Sequence, residues 1–195
     1  MATRKIHRVK DLDTLKALGH PLRIKLYRAL YVAGTATASQ LADQVDEAVS
    51  LVSYHLRKLA THGIIEEAEA GRGDGRERWW QPVATRITTM DEDFSDAPER
   101  AAVHTAVSRV YARQHGEMYE TYLDTKQTWD TGWRNAAFGS EYLMPLTADE
   151  LRELKEELDE LVARWQTRAK AAREAGDMEG RENVAVHAHG FPFRT

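Results

Sequence analysis

The apolar residues Val49, Val52, Leu56 and Leu59 recur at steps of three, four and three, which is one stripe of an α-helix facing a core. The spacing predicts a helix over 48–62. At 100° per residue Ser50, Tyr54, Arg57 and Thr61 fall on the opposite side, flanked by Leu51, Ser53 and Lys58, so the outward face is rich in hydrogen-bond donors. His55 projects to the edge of the buried stripe, where a structural hydrogen bond is expected. Gly63 stands where a left-handed residue ends a helix. The alternating, aromatic pattern after it passes through the loop GRGDGR to Trp79 and Trp80 and reads as a β-hairpin. The helix and a Gly/Arg wing over 68–78 make one candidate unit.

Upstream, DLDTLKALGHPLRIKLYRALYVAG predicts a short helix, a break at Gly19-His20-Pro21 and a second helix, with Pro21 at a first-turn position where its missing N–H costs nothing. Leu22, Leu26 and Leu30 line its inner side and Gly34 stops it. Thr37 with Gln40 has the spacing of a capping box, so a third helix starts there with Leu41, Ala42 and Val45 inward. The acidic turn at Asp46-Glu47 leads into helix 48–62. Two short helices joined by a tight turn, the second with an exposed polar face, form a helix-turn-helix.

Periodicity is lost after residue 82, which places a linker over 85–97 between a winged helix-turn-helix domain, 1–84, and a helical C-terminal domain, 98–195. Asp96 with Glu99 offers a further capping box, followed by a long amphipathic helix bearing Val103, Val107, Val110, Tyr111, Met118 and Tyr122. Thr147 with Glu150 caps another, whose Leu151, Leu154, Leu158, Leu161 and Trp165 step three, four, three, four; such a seam wants a partner helix. Near the end Val184, Val186 and Ala188 alternate as a late strand that AFGSEYLMPL could pair with as a small two-stranded sheet. The fold class is mainly α: a winged helix-turn-helix plus a helical dimerisation or effector unit.

Charge sharpens this division. The formal net charge is −4, but residues 1–85 hold 13 Lys/Arg against 10 Asp/Glu, net +3, and the remainder 14 against 21, net −7. Only the N-terminal half has the sign that suits a polyanion, and modestly, so placement of the charges matters more than their sum. The chain has no cysteine, which removes disulfides, thiolate ligands and thiol nucleophiles. MATRKIHRVKDLDTL has no signal-peptide apolar run, and no segment reaches the ~18 apolar residues of a membrane span; a cytoplasmic protein is expected.

The runs LKALGHPLRIKLYRAL and TASQLADQVDEAVSLVSYHLRKLATHGII, followed by the wing and an aromatic strand, resemble the ArsR-type winged-helix repressors. VSYHLRKLATHGII is the most specific part, and the resemblance covers about residues 10–84. It implies a dimeric, promoter-binding regulator. The chemistry of the residues agrees: a helix of this kind fits the major groove, where Arg57 could take guanine O6 and N7 while Ser50, Ser53 and Tyr54 meet base edges or phosphates. Lys58 would fix orientation on phosphate, Leu51 and Thr61 complete the face, and Arg72 and Arg76 at the hairpin tip would meet the sugar-phosphate wall or a minor groove. The expected partners are double-stranded DNA with an inverted-repeat operator, a second copy of the chain, and a small-molecule effector whose identity the sequence leaves open.

Members of the resembled family often sense metals. His104 and His115 share a helix face about 16 Å apart, and an antiparallel partner helix could bring one beside the other, a spacing similar to an interhelical zinc site of that family. The accompanying positions are Ala102 and Met118, which supply no zinc ligand, and two nitrogens are too few, so no cofactor is expected. Tyr111, Tyr119, Tyr122, Trp129, Trp133 and Trp165 could line an effector pocket. No enzyme is expected, because the chain carries no phosphate-binding Gly loop, nucleophile elbow or HExxH pair. The alternative is a winged helix that docks proteins within a larger complex.

Overall fold

The Asp11 carboxylate accepts from the Thr14 amide at 2.8 Å and opens α1 (Leu12–Leu18), which ends at Gly19. Pro21 starts α2 (Pro21–Ala33), and Gly34, at φ 79°, stops it. The computed structural model describes residues 6–68, 77–84 and 86–194. In α3 (Ala38–Val45) the expected capping box is formed: the Gln40 amide donates to the Thr37 hydroxyl at 3.3 Å and the Thr37 amide to the Gln40 side-chain oxygen at 3.0 Å. Asp46 adopts the left-handed conformation, φ 55°, which its short polar side chain tolerates. The chain then turns into α4 (Val49–Thr61). Gly63, at φ 65°, lies just past the end of α4.

A three-stranded antiparallel sheet joins β2 (Ala36–Thr37), β3 (Ile65–Glu67) and β4 (Trp79–Pro82), ordered β2-β4-β3. Trp80 lies opposite Ala36 on one side and Glu67 on the other. The Ala68 amide donates to the Trp79 carbonyl at 2.8 Å, one residue past the end of β3. Arg72 and Arg76 lie outside the described residues.

Leu15, Leu26, Leu30, Leu41, Val52, Leu56 and Leu59 are fully buried and share one core with Ile64, Ile65 and Trp80. Each such aliphatic side chain stabilises the fold by about 1.5–3 kcal/mol relative to exposure. The inner stripe of α4 therefore forms as expected from Val52 onward. Val49, in the first turn, lies outside it at 46% exposure.

Within 85–97, expected as a linker, the described residues form a strand over 86–89 and a 3-10 turn over 91–93. β5 (Arg86–Thr89) pairs in parallel with β1 (Ile6–Val9), and Phe94 is fully buried in the core. Arg8 clasps Asp93, its Nε 2.6 Å from the carboxylate, and Glu92, so a cation 85 residues away anchors this segment, which local periodicity could not reveal. That hydrogen-bonded pairing holds the Asp93 carboxyl below its usual range and raises the Arg8 guanidinium. Next comes α5 (Pro98–Thr125). Instead of the expected Asp96/Glu99 box, Asp96 pairs with Arg100 at 2.7 Å, and Arg100 also donates to the carbonyls of Lys10 and Asp93.

Two compact units divide the chain, one up to Asp124 and one from Thr125. The first includes most of α5: Val107 and Gln114 are buried, and the Gln114 amide donates to the Pro21 carbonyl at 3.1 Å. A Cβ on Gly19 would sit 2.8 Å from the Val107 side chain, so glycine permits the close approach of α5. The second unit contains α6 (Thr131–Ala136) and α7 (Ala148–Glu174), the latter opened by the expected Thr147–Glu150 capping box. No residue of α7 is buried. The late strand does not form: Val184 and Val186 stay 66% and 60% exposed in non-regular chain, with no ladder to satisfy their backbone. No described helix is long and apolar enough to cross a membrane.

Candidate nucleic-acid interface

Because Val52, Leu56 and Leu59 pin one side of α4 to the core, its other side is held toward solvent. Ser50, Leu51, Tyr54, Arg57, Lys58 and Thr61 are all exposed and Ser53 is half-buried. The structure thus gathers every α4 residue singled out from the sequence onto one face. Arg57 Nε donates to the Ser53 carbonyl at 3.1 Å, which lays the stem along the helix and leaves the two Nη groups at the exposed end. Thr61 is tied back to the Arg57 carbonyl at 2.9 Å. The Lys58 ammonium lies 6.0 Å from the Tyr54 ring centroid, within reach of a cation–π contact. Such a face offers a guanidinium fork, an ammonium, hydroxyls and one phenol, a set suited to base edges and phosphate oxygens.

Tertiary packing adds two neighbours that sequence reasoning missed. His20, the N-cap of α2, makes no side-chain cap bond, and its ring lies 4.5 Å from that of His55. His55 is 95% buried, its edge against Tyr54 at 5.1 Å. The expected structural hydrogen bond is not made by Nδ1, which has no partner among the described residues; the ring packs against His20 and Tyr54. Burial, and then Arg23, push the His20 pKa down; burial, His20 and Arg23 do the same to His55, with Glu47 opposing. Arg23 is itself lowered by burial and lies close enough to Tyr54 to feel its charge. A histidine directly before a helix-opening proline was the available signal, but its proximity to α4 spans 35 residues.

Beside the ends of β3 and β4 the charges are mixed. Ser39 donates to Glu77 at 2.6 Å, and Arg78 approaches Glu67 at 4.0 Å. Of the two histidines considered for zinc, His104 stacks on Phe94 at 5.2 Å, its Nε2 3.3 Å from the Thr89 hydroxyl and its Nδ1 3.5 Å from Asp91. His115 packs edge-on against Tyr111. Among the described residues no three His, Asp or Glu side chains converge as metal ligands. Tyr111, half-buried beside Arg28, has its hydroxyl pKa raised to about 12 by desolvation. A cleft of about 430 Å³ between α2, α3 and α5 is lined by Lys25, Arg28, Gln44, Gln114 and Met118 rather than by the aromatic set.

Residues 18–68 match the family model described as a helix-turn-helix domain, 51 of the 195 residues. Together with β4, which lies beyond it, this region forms a winged helix-turn-helix, a fold class of DNA-binding transcriptional regulators. Among solved structures, the chain is similar to a possible transcriptional regulator for arsenical resistance, 26% identical over 52% of this chain and 85% of that one, with TM-score 0.32. A mutant of E. coli MarR complexed with operator DNA is 18% identical over 78% and 84%, with TM-score 0.32. The zinc-responsive MarR family member ZitR of Lactococcus lactis is 18% identical over 73% and 74%, with TM-score 0.29. No curated protein matches the chain.

Proposed function

We propose that this chain is a dimeric, sequence-specific transcriptional regulator of the ArsR type, a cytoplasmic repressor without enzymatic activity. It inserts α4 into the major groove of an inverted-repeat operator and lays the 68–78 wing along the adjacent backbone. The observation that supports this best is the polar face of α4, with Tyr54, Arg57 and Lys58 presented together by a helix whose opposite side is locked into the core. Arg57 reads a guanine. Ser50, Ser53, Tyr54 and Thr61 meet base edges or phosphates, Leu51 packs on the groove, and Lys58, Arg72 and Arg76 hold the phosphate backbone. A two-fold dimer sets the two α4 helices about 34 Å apart, one DNA turn. A small-molecule effector modulates the grip from the helices outside the wing domain.

Titration of the purified protein against its own upstream DNA over a salt series tests this reading. Arg57→Ala is expected to lose about 1–3 kcal/mol of discrimination between the best site and a scrambled one without losing helix content. Arg72→Ala with Arg76→Ala weakens all duplexes alike and lowers the salt slope by roughly two. Unchanged affinities in Arg57→Ala would remove α4 from the groove, and a wild type with no salt-dependent duplex binding would leave the protein-docking alternative standing.

A further inference from the structure

The seam of α7, half-buried at Leu151, where Gly190 lies against it, and at Leu154, and exposed from Leu158 on, carries an uneven distribution of charge. Residues 149–160 hold seven acidic and two basic side chains, net −5, whereas 161–174 hold four basic and one acidic, net +3. Between these halves Leu158 and Leu161 are 40% and 42% exposed, and Trp165 is 60% exposed. The helix is 27 residues long, about 40 Å. A parallel copy would set acid on acid and base on base. An antiparallel copy sets each acidic half against a basic half, and it also opposes the two helix dipoles.

We propose that α7 pairs with α7 of a second copy of this chain as an antiparallel two-helix coiled coil whose register is chosen by Glu157 and Arg164. Writing Leu151, Leu158 and Trp165 as a positions and Leu154 and Leu161 as d positions, a and d face each other across an antiparallel seam and the g positions Glu150, Glu157 and Arg164 flank it. With Leu158 opposite Leu161 of the partner subunit, Leu154 meets Trp165 of the partner subunit and Glu157 meets Arg164 of the partner subunit, twice by symmetry. Sliding one way brings Glu157 beside its own copy, and sliding the other way does the same to Arg164. Both alternatives place like charges at the centre, so the charge pattern selects one register as well as one direction. Glu157 and Arg164 are exposed, which makes them substitutable without disturbing a core.

This inference rests on the homodimer in the proposed function, but its test contains no DNA. Sedimentation of the full chain at low salt is expected to show a dimer. Glu157→Arg and Arg164→Glu alone each replace two attractive pairs with two repulsive ones and weaken self-association roughly tenfold, while circular dichroism stays unchanged. An equimolar mixture of the two variants restores wild-type association, because each reversed charge then meets its complement on the other subunit; the double reversal in one chain does the same. Leu158→Glu lowers association further. A monomeric wild type, a mixture no tighter than its components, or reversals without effect would overturn the pairing. A dimer that survives Leu158→Glu overturns it while leaving the regulator reading intact, whereas restored pairing without duplex binding does the opposite.

Discussion

The α4 stripe and the α7 seam are written in nearly the same alphabet, leucines at alternating steps of three and four, yet they end in opposite environments. Leu56 and Leu59 of α4 are fully buried, whereas Leu158 and Leu161 of α7 remain about two-fifths exposed. The difference lies in what the chain offers each helix. Around α4, the helices α1, α2 and α3 and the strand β3 converge within the same unit and close the core. Around α7, the described residues of the second unit supply a six-residue helix, a short 3-10 turn at Lys126–Thr128 and non-regular chain, of which Gly190 reaches Leu151. Periodicity therefore states that a face wants covering, and the rest of the fold states whether one copy can cover it.

The sharpest way to break this contrast is to truncate matched leucines. Leu56→Ala should cost the first unit about 2–5 kcal/mol, since it leaves a cavity in a closed core. Leu158→Ala should leave the unfolding of that unit where it was and weaken self-association instead. Denaturant titration with hydrogen exchange read separately on 10–84 and 148–174 distinguishes the two, and equal losses in both segments would show that the seam closes within one chain. Next in size is Gly19→Ala. The new methyl must push Val107 away, costing roughly 1–3 kcal/mol, and protection of the first half of α5 should fall with it. An unshifted midpoint would mean that α5 is not tightly seated there.

A smaller effect is expected at Gly63, where open space surrounds the site and only the left-handed backbone matters. Gly63→Ala should cost about 1–2 kcal/mol, with Gly63→Asn recovering part of it. The mildest handle is pH. Burial and the neighbouring Arg23 lower both His20 and His55 from the ordinary 6.5, so the fold prefers both rings neutral. Their contribution is complete above about pH 6.5 and is lost as the pH falls from there through the lowered folded values. Urea midpoints of the first unit should drop between pH 7 and pH 5, and His55→Gln should flatten that dependence. A profile identical to wild type would remove the pair from the acid response.

Much of the first unit was legible because its signals are local. The Thr37–Gln40 box, Pro21 in a first turn, Gly34 and Gly63 past helix ends, and the 52-56-59 stripe each involve residues within one or two turns, and each formed as read. So did the outward set on α4, since fixing one side of a helix fixes the other. Val49 failed because a stripe in sequence extends past the place where packing partners stop. The Asp96–Glu99 box failed because α5 starts at Pro98 with Ala97 accepting its first helical bond, one residue past Asp96, and the late strand failed because alternation alone supplies no neighbour to bond with.

What the sequence determined by itself was which faces of which helices are apolar, where the helices of the first unit begin and end, and which polar side chains share the outward side of α4. The tertiary structure alone decided the relations that span long separations. Arg8 holds Asp93 and draws 86–94 into the fold, α5 seats Val107 against Gly19, and His20 comes to lie on His55 behind the outward face of α4. Those contacts depend on loop closures whose cost is met by the whole core at once, so no window of a dozen residues contains the information that selects them.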